Sequence, residues 1–178
     1  MLCRKGVLYM SVHISKNAEL FYKALEDVWA AERTWFGSPN IAMWNCTQAI
    51  EKVMKGYLRC LNWDYDFGHE LKPLMDEVMS SFKISEVSEE HIMYLNRHGV
   101  NLRYKIMTND PSPEDAKLAI TRTKNIIQEF NANPNVSQFM NEAREVHTKT
   151  LRANSFKRSC GKRILAQAAI QSGVRSGK

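Results

Sequence analysis

The stretch SPNIAMWNCTQAIEKVMKGYLRCL, residues 38–61, decides the fold that the sequence predicts. Ser38 precedes Pro39 at a position where a serine can cap a helix and the missing N–H of a proline costs nothing. Apolar residues then recur at intervals of three and four, which is the period of an α-helix. The predicted buried line consists of Cys46, Ala49, Ile50, Val53, Met54, Tyr57 and Leu61. Because this apolar arc is wide, we predict that the helix lies at the centre of the fold.

Helical periodicity also dominates on both sides of this stretch, and we find no convincing run of alternating β-branched residues. A first helix is predicted over residues 17–35, and a third over residues 69–82. A short fourth helix is predicted over residues 88–97, where Gly99 ends it. We expect an extended stretch to follow over residues 100–108.

The fifth predicted helix has the clearest pattern in the chain. It begins at Ser112-Pro113-Glu114-Asp115, where the serine can cap the helix and the acidic side chains complement its dipole. Its predicted buried line consists of Ala116, Ala119, Ile120, Thr123, Ile126, Ile127 and Phe130. A weakly apolar sixth helix is predicted over residues 136–151. The sequence therefore predicts an all-α protein, an up-and-down antiparallel bundle of four to five core helices with an additional C-terminal helix and a tail.

The net charge of +6 is distributed unevenly along the chain. From Lys149 to the end there are eight Lys and Arg residues and no acidic residue, so the preceding part holds seventeen basic and nineteen acidic residues. The basic character therefore lies in the tail, which we predict to be flexible over residues 153–178. That tail either contacts nucleic acid through its positive charge or is a disordered, solubilising end. The candidate contact residues are Lys157, Arg158, Lys162 and Arg163.

No pattern in the chain indicates a metal, a cofactor or a membrane. The four cysteines, Cys3, Cys46, Cys60 and Cys160, form no CxxC pair, and no Cys/His cluster has the spacing of zinc ligands. Cys46 and Cys60 are too far apart on one helix to bridge, and we interpret both as small buried apolar residues. No run approaches the roughly 18–20 apolar residues of a membrane span, and the first residues lack the apolar core of a signal peptide. We therefore expect a soluble cytoplasmic protein.

Three short motifs occur in order on the predicted elements. The first is Gln48-Ala49-Ile50-Glu51-Lys52 with Lys55 one turn later, and the second is Gly68-His69-Glu70-Leu71. The third is Leu102-Arg103-Tyr104, ahead of the fifth helix. Together they resemble the signature helix, the His-x-Leu helix start and the Arg-Tyr pair of the HEPN family. The resemblance covers about residues 15–131.

This resemblance implies a helical bundle that is commonly dimeric. HEPN proteins occur as ribonuclease toxins, as partners of minimal nucleotidyltransferases, and as nucleotide- or RNA-binding modules. We accordingly divide the chain into a HEPN-like bundle over residues 15–131, an accessory helix over 132–152 and the basic tail. The family's nucleases share an Arg followed by a His after four to six residues, and no pair in this chain has that spacing. The nuclease activity is therefore not expected to transfer.

The candidate site lies on the second helix. Gln48, Glu51, Lys52, Lys55 and Arg59 recur at spacings of three and four, so they form a polar stripe opposite the apolar line. This stripe is either a solvated face with an internal Glu51–Lys55 pair or the border of a cleft or dimer groove that holds phosphate groups.

Two further positions extend the candidate site. His69 either caps or packs against the third helix, or it serves as a proton donor or phosphate ligand. Arg103 with Tyr104 either binds a nucleotide by stacking and a phosphate fork, or pins the chain to the bundle through a salt bridge to Glu51.

The sequence is consistent with three functions. The leading hypothesis is a dimeric, non-catalytic HEPN bundle that binds a nucleotide or RNA in a defence or toxin–antitoxin system, a setting that the resemblance alone implies. One alternative is a protein-interaction partner of a separately encoded minimal nucleotidyltransferase. The other is a divergent, metal-independent ribonuclease that uses His69 with Arg103, brought together in space rather than in sequence.

Overall fold

The computed structural model of the protein describes residues 13–63, 68–104 and 110–173, and side chains over 13–63, 68–98 and 110–155. These residues form six helices and no strand, which confirms the predicted all-α bundle. The helices are α1 (Ala18–Thr34), α2 (Pro39–Cys60), α3 (Leu71–Met79), α4 (Glu86–Tyr104), α5 (Pro113–Asn131) and α6 (Pro134–Gly173). Over the described part of the chain, no helix combines the length and the apolar character that a membrane span requires.

Helix α2 lies at the centre of the bundle, as predicted. It packs against each of the other five helices, and most extensively against α1. The predicted buried line is confirmed from Cys46 to Tyr57, whereas Leu61 follows the helix and is only partly buried. Pro39 occupies the first turn as predicted, but the side chain of Ser38 makes no capping hydrogen bond.

Gly56 allows α1 to approach α2 closely. The ring of Phe21 lies over this glycine, and a Cβ placed on Gly56 would be 2.7 Å from Cε1 and 2.9 Å from Cζ of that ring. Phe21 is only 1% exposed and is one of the largest buried side chains. Because the distance between packed helices depends on the side chains at their contact, Gly56 sets the spacing of the most extensive helix pair.

Helix α5 confirms its sequence prediction in full. Ser112 Oγ accepts a hydrogen bond from the Asp115 N–H at 3.1 Å, and Asp115 Oδ2 accepts one from the Ser112 N–H at 3.0 Å. These two bonds form a capping box, which satisfies two N–H groups at the helix start. All seven residues of the predicted apolar line are buried.

Replacement of Ser112 by Ala is expected to lower the free energy of unfolding by about 1 kcal/mol, because the Asp115 N–H loses its acceptor. Urea denaturation of the full chain measures this loss. Ser38→Ala is a matched control, since Ser38 also precedes a helix that starts with proline but makes no capping bond. We expect little change for Ser38→Ala, and equal losses in the two variants would contradict the assignment of the cap.

Helix α4 continues beyond its predicted end. The sequence predicted a break at Gly99 and an extended stretch after it, but residues 100–104 belong to the helix. A single glycine in a helix costs only about 1 kcal/mol relative to alanine, and no proline follows it within α4. Arg103 and Tyr104 therefore belong to a helix instead of lying on an extended segment. Residues 105–109 of the predicted stretch lie outside the described residues.

Helix α6 also extends further than predicted, from Pro134 past Leu151 to Gly173. No proline interrupts residues 135–173, and their many Ala, Leu, Gln, Lys and Arg residues favour a helix. The predicted end of the sixth helix at Leu151 is therefore wrong, whereas the division into an accessory helix and a basic tail stays a prediction.

The start of α6 closes the bundle against α1. The main contact of α6 is with α1, and its buried residues include Val136, Met140 and Ala143. Glu142 also binds the segment before α1, because the Ser15 N–H donates to Glu142 Oε1 at 2.6 Å and Ser15 Oγ donates to Oε2 at 2.7 Å. Two residues 127 positions apart thus join the two ends of the described bundle.

Candidate functional site

Glu51 of α2 is a carboxylate that the fold covers, since the residue is only 5% exposed. Lys55 Nζ donates to its Oε1 at 2.8 Å, and His69 Nδ1 lies 3.1 Å from the same oxygen. Gln48 Nε2 donates to the other oxygen at 3.4 Å. Burying a charge is costly unless it is paired and hydrogen-bonded, and these three partners meet that need. We refer to Gln48, Glu51, Lys55 and His69 as the Glu51 cluster.

Two elements of the chain build the Glu51 cluster. Three of its members lie on one face of α2, whereas His69 belongs to the segment that precedes α3. Asn96 of α4 holds that segment, because its Oδ1 accepts a hydrogen bond from the Leu71 N–H at 2.8 Å. This bond satisfies one of the N–H groups that the start of α3 leaves without a helical partner. The sequence predicted that His69 opens the third helix, but α3 begins at Leu71 and His69 precedes it.

In the Glu51 cluster the carboxylate is buried, and the two basic side chains are more exposed. The side chain of Glu51 is 7% exposed, that of Lys55 is 26% exposed and that of His69 is 68% exposed. A lysine ammonium carries three donors, of which the Glu51 carboxylate takes one. The buried carboxylate therefore holds an ammonium group and an imidazole next to each other at the surface. Such a pair can bind an anion.

The predicted polar stripe does not converge as a whole. Lys52 forms an ion pair with Asp27 of α1, while Arg59 Nη1 donates to the carbonyl of Lys16 at 3.4 Å. Burial raises the pKa of Asp27, and the bond and charge of Lys52 partly oppose that rise. Lys52 and Arg59 therefore contact α1 and the segment before it. Of the stripe, only Gln48, Glu51 and Lys55 belong to the cluster.

The other predicted site residues fall where only the backbone is described. Arg103 and Tyr104 lie in the last turn of α4. A salt bridge from Arg103 to Glu51, nucleotide stacking on Tyr104 and a ribonuclease pair of Arg103 with His69 therefore stay predictions. The predicted nucleic-acid contacts of the tail are Lys157, Arg158, Lys162 and Arg163. These residues lie on α6, but their side chains are likewise outside the described residues.

The two cysteines of α2 are unreactive packing residues rather than ligands or nucleophiles. Cys46 is buried, Cys60 is partly buried, and neither forms a disulfide. Burial raises the pKa of the Cys46 thiol to about 12 and that of the Cys60 thiol to about 11. Both thiols are therefore protonated at neutral pH, and a protonated thiol is a poor nucleophile and metal ligand. Among the described side chains, no group of three or more His, Cys, Asp or Glu residues is arranged to hold a metal ion.

A second group of polar side chains, on α6, was not predicted from the sequence. Arg144 and His147 line a cavity between α1, α5 and α6. In the sequence, Arg144 and His147 are three residues apart on a weakly apolar helix, which predicts that they share a face. This spacing does not indicate which helices that face contacts.

Comparison with protein-family models matches residues 17–133 to the family described as HEPN domain. The matched residues extend from the start of α1 to the end of α5 and include the whole Glu51 cluster. Comparisons with curated proteins and with solved structures found no match.

Proposed function

Because the chain belongs to the HEPN domain family, we propose that it is a nucleotide- or RNA-binding helical bundle that holds phosphate groups at the Glu51 cluster. In this proposal it acts as a homodimer in a defence or toxin–antitoxin system, the setting that the family suggests. One observation carries the binding part of the proposal. The covered carboxylate of Glu51 holds Lys55 and the exposed His69 side by side at the surface.

The chemistry of the Glu51 cluster suits a phosphate group. Lys55 supplies a compact positive charge on a flexible stem, and the imidazole of His69 can donate a hydrogen bond. Since the Glu51 carboxylate already orders both side chains, less conformational freedom is lost when the anion binds. We further propose that the basic residues on the last part of α6 add sequence-independent contacts with the nucleic acid backbone.

Replacement of Lys55 by Ala is expected to weaken binding of single-stranded RNA about three- to tenfold at low salt, because one phosphate contact is lost. The slope of log K against log salt should become shallower by about 0.7. Fluorescence anisotropy of a labelled RNA over a salt series measures both effects. Lys23→Ala is a matched control, since Lys23 also pairs with a glutamate four residues away but lies on α1.

A Glu51→Gln variant tests whether Glu51 positions Lys55 and His69 or affects RNA binding only through its negative charge. Removal of a negative charge alone would strengthen RNA binding, whereas loss of the group that holds Lys55 and His69 would weaken it. We expect weaker binding. An affinity above that of the wild type, equal affinities of Lys55→Ala and Lys23→Ala, or no RNA binding at low salt would contradict the proposal.

Exposed apolar side chains favour a second candidate function. Phe36 is 76% exposed in the connection between α1 and α2, Ile41 is 52% exposed in the first turn of α2, and Leu118 of α5 is 49% exposed. Lys117, the neighbour of Leu118, has its Nζ 5.7 Å from the ring centroid of Trp35, so α5 reaches this connection. Exposed apolar patches are typical of protein–protein contacts. The alternative proposal is a partner of a minimal nucleotidyltransferase, which co-purification with a transferase from a neighbouring reading frame tests.

A further inference from the structure

A cavity of about 290 Å³ lies where α1, α5 and α6 meet. Pockets for small organic ligands usually occupy roughly 300–1,000 Å³ and have mostly apolar walls with a few polar groups. The apolar walls of this cavity are Leu25, Val28, Trp29, Ile127 and Leu151. Its size and its lining are therefore those of a site for a compact ligand.

Arg144 supplies a positive charge to this cavity. The residue lines the cavity and is half-buried, and it has no ion pair or hydrogen bond with any side chain or backbone group that the structure describes. A guanidinium has five donors in a rigid fork that matches a carboxylate, and donors that are removed from water without an acceptor are destabilising. The cavity thus offers an anion a preformed partner.

Lys124 and His147, the other basic residues that line the cavity, each face a carboxylate. Lys124 Nζ of α5 lies 2.9 Å from Glu32 Oε1 of α1. His147 Nε2 of α6 lies 2.9 Å from Glu26 Oε1 without the alignment of a hydrogen bond, and the side chain of His147 is 13% exposed. Because Lys124 and His147 each face a carboxylate, Arg144 is the basic residue of the described lining that has no carboxylate beside it.

The ring of Trp29 at the cavity wall packs against Arg33. The guanidinium carbon of Arg33 lies 3.5 Å from the Trp29 ring centroid, and Arg33 Nη1 donates to the Trp29 carbonyl at 3.4 Å. This contact covers one face of the indole and limits its motion. The ring of His147, which also lines the cavity, packs edge-on against Tyr22 with the centroids 6.0 Å apart. The walls are therefore preorganised, which reduces the cost of binding.

We propose that this cavity binds a compact organic anion, with an aromatic or aliphatic body against the apolar walls and a carboxylate on Arg144. The cavity volume sets the size of the ligand, and the charge of Arg144 sets its sign. The site is separate from the Glu51 cluster and does not depend on RNA binding.

Indole-3-carboxylate and the neutral indole-3-carboxamide are matched probes, because they share a ring and differ in charge. NMR titration of the ¹⁵N-labelled full chain should show shifts at Leu25, Ile127 and Leu151 with the carboxylate. The carboxamide should bind about tenfold or more weakly, the change that accompanies loss of one charge-assisted hydrogen bond. Arg144→Gln should reduce the affinity for the carboxylate to that for the carboxamide.

Two further variants make this test specific. Arg152→Gln removes an exposed arginine of the same helix and should bind the carboxylate like the wild type. Gln128→Trp places a large ring at the exposed rim of the cavity and should abolish binding, while the circular dichroism spectrum stays unchanged. Equal affinities for the two probes, wild-type affinity in Arg144→Gln, or no shifts at the cavity with millimolar carboxylate would overturn the proposal.

Discussion

Replacement of Gly56 by Ala is expected to lower the free energy of unfolding by about 2 kcal/mol, although alanine favours a helix over glycine by about 1 kcal/mol. The new methyl group would lie 2.7 Å from Cε1 of Phe21, well inside the roughly 3.5–4.0 Å of a normal carbon–carbon contact. Because Phe21 is buried, its ring cannot turn away without displacing other core residues. The steric cost should therefore exceed the gain in helix propensity.

Urea denaturation of a double-mutant cycle with Phe21→Leu measures this effect. In the Phe21→Leu background, where the ring is absent, Gly56→Ala should cost at least about 1 kcal/mol less than in the wild type. Gly37→Ala is the control, since a Cβ on Gly37 would meet no atom within 4 Å. If Gly56→Ala were as stable as the wild type, Gly56 would not set the spacing of α1 and α2.

Acidification from pH 7.5 to pH 4.5 is expected to destabilise the fold by up to about 3 kcal/mol through His91. This residue of α4 is 1% exposed. Burial and, to a smaller extent, the positive charge of Arg122 lower its pKa from 6.5 to about 4, although a hydrogen bond to the backbone of Ala119 opposes the decrease.

The direction of this effect follows from which state binds the proton. Between pH 6.5 and about 4, the unfolded chain protonates His91 while the folded chain holds it neutral. The unfolded state then binds more protons, so the free energy of unfolding falls as the pH falls. Above this window the imidazole is neutral in both states, and below it the imidazole is charged in both. The contribution of His91 is therefore constant outside the window.

A His91→Gln variant isolates this contribution. Glutamine has no charge to gain, and it can replace the contact of His91 Nε2 with Thr123 Oγ1, which is 3.4 Å long. Urea unfolding at the two pH values should show a shallower pH dependence in the variant than in the wild type. Some pH dependence should remain in the variant, because burial also lowers the pKa of His98. Burial raises the pKa of Asp27, and this shift makes the fold more stable as the pH falls, in the direction opposite to that of the histidines. Equal pH dependence in both proteins would exclude His91 as the cause.

The helices were predictable where local signals agreed with the tertiary packing. In α5, the capping residues and the apolar period both come from neighbours in sequence, so its start and its buried face were predicted correctly. Gly99 shows the limit of such signals, because a local preference of about 1 kcal/mol did not end α4. The end of α6 was likewise misplaced, since a change in composition after Leu151 is not a break in the helix.

The candidate site was predictable only in part. The Glu51–Lys55 pair follows from a spacing of four on one helix, and the structure contains it. The burial of Glu51 and its contact with His69 depend on how the segment before α3 returns to α2, which spacing along one helix does not reveal. Arg144 was missed for the same reason, because its cavity takes residues from three helices.

The bond between Ser15 and Glu142 has a consequence for biosynthesis. A ribosome adds about 5–20 residues per second, so the 127 positions between these partners take roughly 6–25 s to translate. During that interval α1 has left the ribosome while the helix that covers one of its faces has not yet been made. The described bundle therefore closes only after α6 has been made, and until then the face of α1 that α6 covers is open to chaperones.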